Sequence, residues 1–130
     1  MDPSVADRRK LAGLFRVLSE PNRLAIFDLL MQGVQCNCEI GKRLGLPMNL
    51  VSHHLRVLRD AGLVEAQREP TDARWVYYSV KKAALTECCA RITEFLAPSR
   101  IQPRLPSCGP ASAQPITERL VPSAIHLERD

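Results

Sequence analysis

Apolar residues recur at helical spacing from the start of the chain. Over residues 4–18, Leu11, Leu14, Phe15 and Leu18 share one side of a cylinder, with Arg8, Arg9, Lys10 and Arg16 elsewhere on it. A second helix is expected from Pro21 to about Met31, with Leu24, Ile26, Phe27, Leu29 and Leu30 mostly inward. Ser19 is its expected cap, Pro21 sits in the first turn where a missing N–H costs nothing, and Gly33 ends it. A short helix over 38–44, the turn Gly45-Leu46-Pro47 and a helix over 48–61 follow. Leu50, Val51, Leu55 and Leu58 form the buried stripe of that fourth helix, and Gly62 stops it.

The period then changes. Residues 64–68 and 74–80 read as two strands, since Trp75, Val76, Tyr77, Tyr78 and Val80 all favour extended backbone, and Pro70-Thr71-Asp72-Ala73 forms the tip between them. A last helix runs from Lys81 or Lys82 to Leu96, with Leu85, Cys88, Cys89, Ile92, Phe95 and Leu96 on or beside one face. Beyond it the pattern fades. Six of the ten prolines lie in residues 98–130, so a flexible Pro-rich tail is expected there, with at most one helical turn near 116–120. The expected organisation is one domain over 1–97 and a tail over 98–130.

The fold class is therefore mostly α with a two-stranded β-hairpin: a helix-turn-helix followed by a wing. A helix fits the major groove of DNA, and residues near its start reach base edges. The positions facing outward on the fourth helix are Asn49, Ser52, His53 and Arg56, which offer amide, hydroxyl, imidazole and guanidinium groups. His54, one residue on, turns towards the core and is expected to pack. Arg68 and Arg74 flank the hairpin tip and suit phosphate or minor-groove contact. The alternative for this helix is a solvated amphipathic surface with no nucleic-acid role.

Composition agrees with this picture without proving it. The chain has 130 residues, a net charge of +4 and a pI near 9.0, compatible with a polyanionic partner. Its 45% hydrophobic content supports one small core, to which a shared dimer interface would add. The polar opening residues lack a secretion signal, and no run approaches the ~18 apolar residues of a membrane span, so a cytoplasmic, membrane-free protein is expected. No phosphate loop, nucleophile–base pair or HExxH motif is present, which argues against an enzyme. Five cysteines, in that compartment, suit free thiols, metal ligands or redox sensors better than structural disulfides.

The segments LSEPNRLAIFDLL, the Cys-x-Cys that follows, SHHLRVLRDAGLV and RWVYYSV stand in an order and spacing that resembles the ArsR/SmtB family of winged-helix repressors, over about residues 14–80. The resemblance implies a homodimer formed through the first and last helices, which binds operator DNA and releases it when an inducer binds. In thiophilic-sensing members the segment before the third helix reads like Glu-Leu-Cys-Val-Cys-Asp-Leu, so Cys36 and Cys38 match residue by residue. Thiolates are soft donors that select soft ions. Within a straight helix, residues two apart point about 200° from each other at ~3.6 residues per turn, so these two converge only where the backbone leaves helical geometry.

The expected inducer is As(III), with Sb(III) as its close analogue, and no organic cofactor. The sequence also departs from the family pattern. Arsenic-responsive members often carry a third Cys three residues after the second, where this chain has Gly41. Others use a Cys in an N-terminal arm, and residues 1–35 contain none. A third ligand would come from Cys88, Cys89, Cys108, the partner subunit or a small thiol. For Cys88 and Cys89 the alternative is packing as small hydrophobes, and for Cys108 an incidental thiol. The family's other site, built of His and carboxylates on the last helix, lacks its ligands here: residues 81–96 offer only Glu87 and Glu94, and His126 lies far along the tail. A redox or persulfide sensor and a Cd/Pb-responsive repressor on the same scaffold are the competing functions.

Overall fold

The computed structural model describes residues 2–110. The chain divides at Leu96 into two compact units. In the first, α1 (Val5–Leu18) and α2 (Pro21–Leu30) precede a short strand β1 (Gln35–Cys36). Then come α3 (Asn37–Leu44), α4 (Met48–Asp60), β2 (Val64–Arg68), β3 (Val76–Val80) and α5 (Lys82–Phe95). The second unit contains one 3-10 turn, Pro98–Arg100. The expected turn near 116–120 and His126 lie outside the described residues.

Local chemistry sets the helix ends. Ser4 caps α1 in a reciprocal box: its Oγ accepts from the Asp7 N–H at 3.0 Å, and the Asp7 carboxylate accepts from the Ser4 N–H at 2.9 Å. The expected Ser cap of α2 is corrected by one residue. Ser19 ends α1, and Glu20 caps α2 by accepting the Arg23 N–H at 2.7 Å, with Pro21 next in the first turn. The third helix ends on Gly45 at φ 65°, a left-handed conformation that turns the chain tightly into α4.

The core is carried by α2, α3 and α4. Ile26, Leu29 and Leu30 meet Ile40, Val51, Leu55 and Leu58, and Leu63 and Val64 close the cluster. On α4, Val51, Leu55 and Leu58 recur at helical spacing among polar positions, so their burial follows directly from the pattern. Leu24 departs from expectation: it is half exposed on the outer side of α2. The outer helices differ from the central ones. Only Leu11 of α1 is buried, and α5 has no buried residue in the described protomer.

The sheet has a strand that the sequence pattern did not predict. The hairpin β2–β3 pairs from Val64↔Val80 to Arg68↔Val76, so Arg74 and Trp75 belong to the tip. On its other side β3 pairs antiparallel with β1, Gln35 opposite Tyr78 and Cys36 opposite Tyr77, giving the order β1-β3-β2. Two residues are too short to show a period-2 alternation, which is why the strand is silent in the sequence.

Candidate nucleic-acid interface and thiol site

On α4 the outward positions fall at i, i+3, i+4 and i+7, one face of the helix. Asn49, Ser52, His53 and Arg56 are all exposed there, while Val51, His54, Leu55 and Leu58 are buried on the opposite side. The third helix packs across α4 and sets the angle at which that face is offered. Gly41 of that helix is buried. A Cβ at Gly41 would lie 3.1 Å from the Leu46 carbonyl oxygen and 3.2 Å from Met48 Sδ. A cysteine side chain at this point would be tightly packed and would require the Leu46 carbonyl or the Met48 side chain to give by a few tenths of an ångström.

The wing arginines are exposed but engaged. Arg68 donates to the Ala73 carbonyl at 2.7 Å, across the tip. Arg74 clamps Asp72 with Nε and Nη2 at 2.9 and 2.8 Å, and the Arg74 N–H donates to the same carboxylate at 3.1 Å. These bonds hold the Asp72 carboxyl below the usual carboxylate range. A phosphate meeting Arg74 would find Nε and one Nη2 hydrogen already engaged by Asp72, a detail of tip geometry that sequence reading does not reveal.

Cys36 stands at a structural junction. It is the last residue of β1, opposite Tyr77, and also the N-cap of α3. Its backbone is extended (φ −88°, ψ 161°), and its side chain is buried. Cys38 follows in the first turn of α3 and is exposed. The two thiols therefore do not share one regular helix, and the divergence of helical neighbours does not apply to them. The Cys36 N–H donates to Glu39 Oε1 at 3.0 Å. Hydrogen bonds from the Cys36 backbone and then its side chain hold the Glu39 carboxyl below its ordinary value. Cys-Asn-Cys-Glu thus does the work of a capping box, with sulfur in place of a hydroxyl. The spacing of Cys36 and Glu39 is the signal that would have identified this role from sequence.

The other thiols have different surroundings. Cys88 is half buried on α5 and packs against the core cluster. It lines a groove with Leu11, Leu14 and Val17 of α1, and burial, then the Glu87 carboxylate, push its thiol up. Cys89 is exposed, and so is Cys108 in the second unit. Among the described residues, no three His, Cys, Asp or Glu side chains gather into a group able to hold a metal ion. The pair at the start of α3 and the pair on α5 are thus separate places in the protomer.

One constellation escaped sequence reading. His54 is buried as expected, but it is not merely packed. Its Nδ1 lies 3.3 Å from Arg23 Nη1, and its Nε2 lies 3.3 Å from the Glu20 carboxylate without hydrogen-bond alignment. Arg23 Nε in turn donates to the Val17 carbonyl at the end of α1. Burial lowers the His54 pKa, Glu20 opposes that shift, and Arg23 adds to it. The residues come from 31 positions apart, so no local motif marks the contact.

An exposed polar face on the second helix of a helix-turn-helix, with a hairpin beside it, defines a winged-helix DNA-binding protein. The family model described as "Bacterial regulatory protein, arsR family" matches residues 20–66. An HTH-type transcriptional regulator of Methanocaldococcus jannaschii is 35% identical over 86 residues, covering 65% of this chain and 93% of that protein. The cadmium resistance transcriptional regulatory protein CadC of Listeria innocua is 33% identical over 76 residues, 58% of this chain and 61% of its own length. The solution structure of a homodimeric winged helix-turn-helix domain from Mycobacterium bovis, a possible ArsR-family regulator, superposes with TM-score 0.57 at 30% identity, covering 72% of this chain and 84% of that one. The chain belongs to the arsR family of bacterial transcriptional regulators.

Proposed function

We propose that this chain is an As(III)-responsive repressor that binds operator DNA as a homodimer through α1 and α5. Asn49, Ser52, His53 and Arg56 read the major groove, and Arg68 and Arg74 hold phosphate or the minor groove from the wing. The support for the dimer is the weakly buried faces of α1 and α5, together with the homodimeric relative from Mycobacterium bovis. No helix of the described residues is long and apolar enough to cross a membrane, which is compatible with a cytoplasmic site of action.

The observation that carries the inducer reading is the place of Cys36, at once in the β1–β3 ladder and at the cap of α3. An ion held by the Cys36 and Cys38 thiolates draws Cys36 away from Glu39 and from its place opposite Tyr77. That disturbs the start of α3, on which α4 packs, and the root of the wing in the same event. An inducer shifts only what it binds unequally, and couplings of this kind are typically ~1–3 kcal/mol, about 5- to 150-fold in affinity. Soft thiolates fit As(III), Sb(III) and other thiophilic ions. Cys89 or Cys108 of either subunit, or a small thiol, completes the site; Cys88, with its raised thiol pKa, is the weaker donor.

A second reading, Cd(II) response, is favoured by the likeness to CadC. It asks for more thiolates than the three that serve As(III). The test uses a duplex obtained by in vitro selection with the full chain. As(III) and Cd(II) are added in parallel while binding is followed by fluorescence anisotropy. The expected result is release by As(III) and retention of DNA with Cd(II). Unchanged affinity with As(III) defeats the leading reading, and release by Cd(II) alone establishes the second.

A further inference from the structure

The buried polar group of α4 has no part in the scheme above, yet it ties the DNA-reading helix to the rest of the protomer. His54 sits in the middle of α4 with its side chain 5% exposed, between Arg23 and Glu20. Each contact restricts its chemistry. A guanidinium only donates, so the Nδ1 that faces Arg23 Nη1 at 3.3 Å must be the acceptor. The proton of the neutral ring then resides on Nε2, pointing towards the Glu20 carboxylate. Arg23 and Glu20 are themselves fixed. Glu20 Oε2 accepts the Arg23 N–H as the cap of α2, and Arg23 Nε holds the Val17 carbonyl at the end of α1. One imidazole thus joins α4 to the corner between α1 and α2.

We propose that His54 is a positioning residue for DNA reading, which holds α4 against the α1–α2 corner only in its neutral, Nε2-protonated form, so that mild acid releases the helix and weakens DNA binding. The inference rests on α4 being the reading helix. Adding a proton to Nδ1 sets a donor against the Arg23 donor and a cation against a cation, and it charges a buried ring. The groups acting on His54 are Glu20 and Arg23 from the corner and His53 from its own helix. Glu20 favours the added charge, and the other two and burial oppose it. Burial is the largest effect, so the balance lies with the neutral ring.

The sign follows. For a His whose titration is lowered in the docked state, stability is fully present above the unbound value of about 6.5 and is lost as pH falls through the lowered one. Between those two values the docked state loses up to about tenfold in population per pH unit and protomer, and below the lowered one the loss is complete. Protonation elsewhere adds positive charge and strengthens phosphate binding. A loss of affinity in acid is therefore distinctive.

The test measures affinity for the in vitro selected duplex at pH 7.5 and pH 5, at fixed salt, for the full chain and for His54→Asn. The Asn side chain can accept from Arg23 at either pH. Expected are an acid-induced loss of affinity in the wild type and no such loss in the variant. Nitrogen-15 spectra of the labelled wild type at pH 7.5 should show the Nε2–H tautomer at His54. Glu20→Gln, which removes the charge favouring the cation in the docked state, should deepen the loss and extend it to lower pH, and it decides the matter if His54→Asn does not fold. An equal acid loss in His54→Asn, or an Nδ1–H tautomer, overturns the proposal. A wild type that does not bind at pH 7.5 refutes the DNA reading itself and takes this inference with it.

Discussion

The two thiol pairs of this chain occupy opposite kinds of place. Cys36 and Cys38 straddle a change of backbone direction, where a strand ends, a helix begins and a carboxylate holds the N–H of the first cysteine. Cys88 and Cys89 follow one another along a regular helix, one half buried against α1 and the other facing out. At the first place a shift of one sulfur would disturb the pairing of β1 with β3 and the cap of α3, elements that adjoin the wing and α4. At the second, the surrounding backbone is satisfied by the helix itself, and a moved sulfur alters mainly packing. The difference teaches that a thiol at the end of a strand and the start of a helix is tied to more of the fold than one inside a regular helix.

The sharpest way to break this comparison is to exchange the roles. Replacing Cys36 and Cys38 with Ser should leave operator binding in place and abolish an As(III) response of about 5- to 150-fold, measured by anisotropy titration. Replacing Cys88 and Cys89 with Ala should leave most of that response. The opposite pattern would move the sensor to α5. Gly41→Cys offers a second challenge. If a third thiol at that position could complete the site, the variant should bind As(III) more tightly. The contacts at 3.1 and 3.2 Å instead forecast overpacking of the helix turn. The expected cost is ~1–3 kcal/mol, read as a lower midpoint in urea denaturation with no gain in As(III) affinity.

How much of this was legible beforehand varies with the range of the interaction. Most of the apolar stripes of α2 and α4, the Gly45 turn and the outward set Asn49, Ser52, His53 and Arg56 follow from spacing along the chain; the exceptions are Leu24, which is half exposed, and Leu50, which is only partly buried. The β1 strand is two residues long and carries no period of its own; its existence depends on β3, some forty residues later. Ser19 before Pro21 reads as the cap of α2, but it is the Glu20 side chain that reaches the Arg23 N–H. The partners of Arg68 and Arg74 depend on the shape of the tip, and those of His54 come from a distant corner. Helical periodicity reports which face is buried. It does not report what a buried polar group meets there.

A smaller effect sharpens the comparison from the other side. If Cys88 serves packing, its substitution should be felt as stability, not as response. Cys88→Ala removes a half-buried sulfur from the groove lined by Leu11, Leu14 and Val17, and Cys89→Ala removes an exposed one. The first should cost on the order of 1 kcal/mol, below the range for full core truncations because the site is open and half buried. The second should lie within about 0.5 kcal/mol of the wild type. The same contrast should appear in reactivity. With its titration pushed up by burial and by Glu87, Cys88 presents less thiolate at neutral pH than an unperturbed thiol, and iodoacetamide should label it more slowly than Cys89. Mass spectrometry of the α5 peptide after graded exposure reads both rates in one sample. Faster labelling of Cys88 would mean that this sulfur is open and activated, and the distinction between a transmitting pair and a packing one would have to be withdrawn.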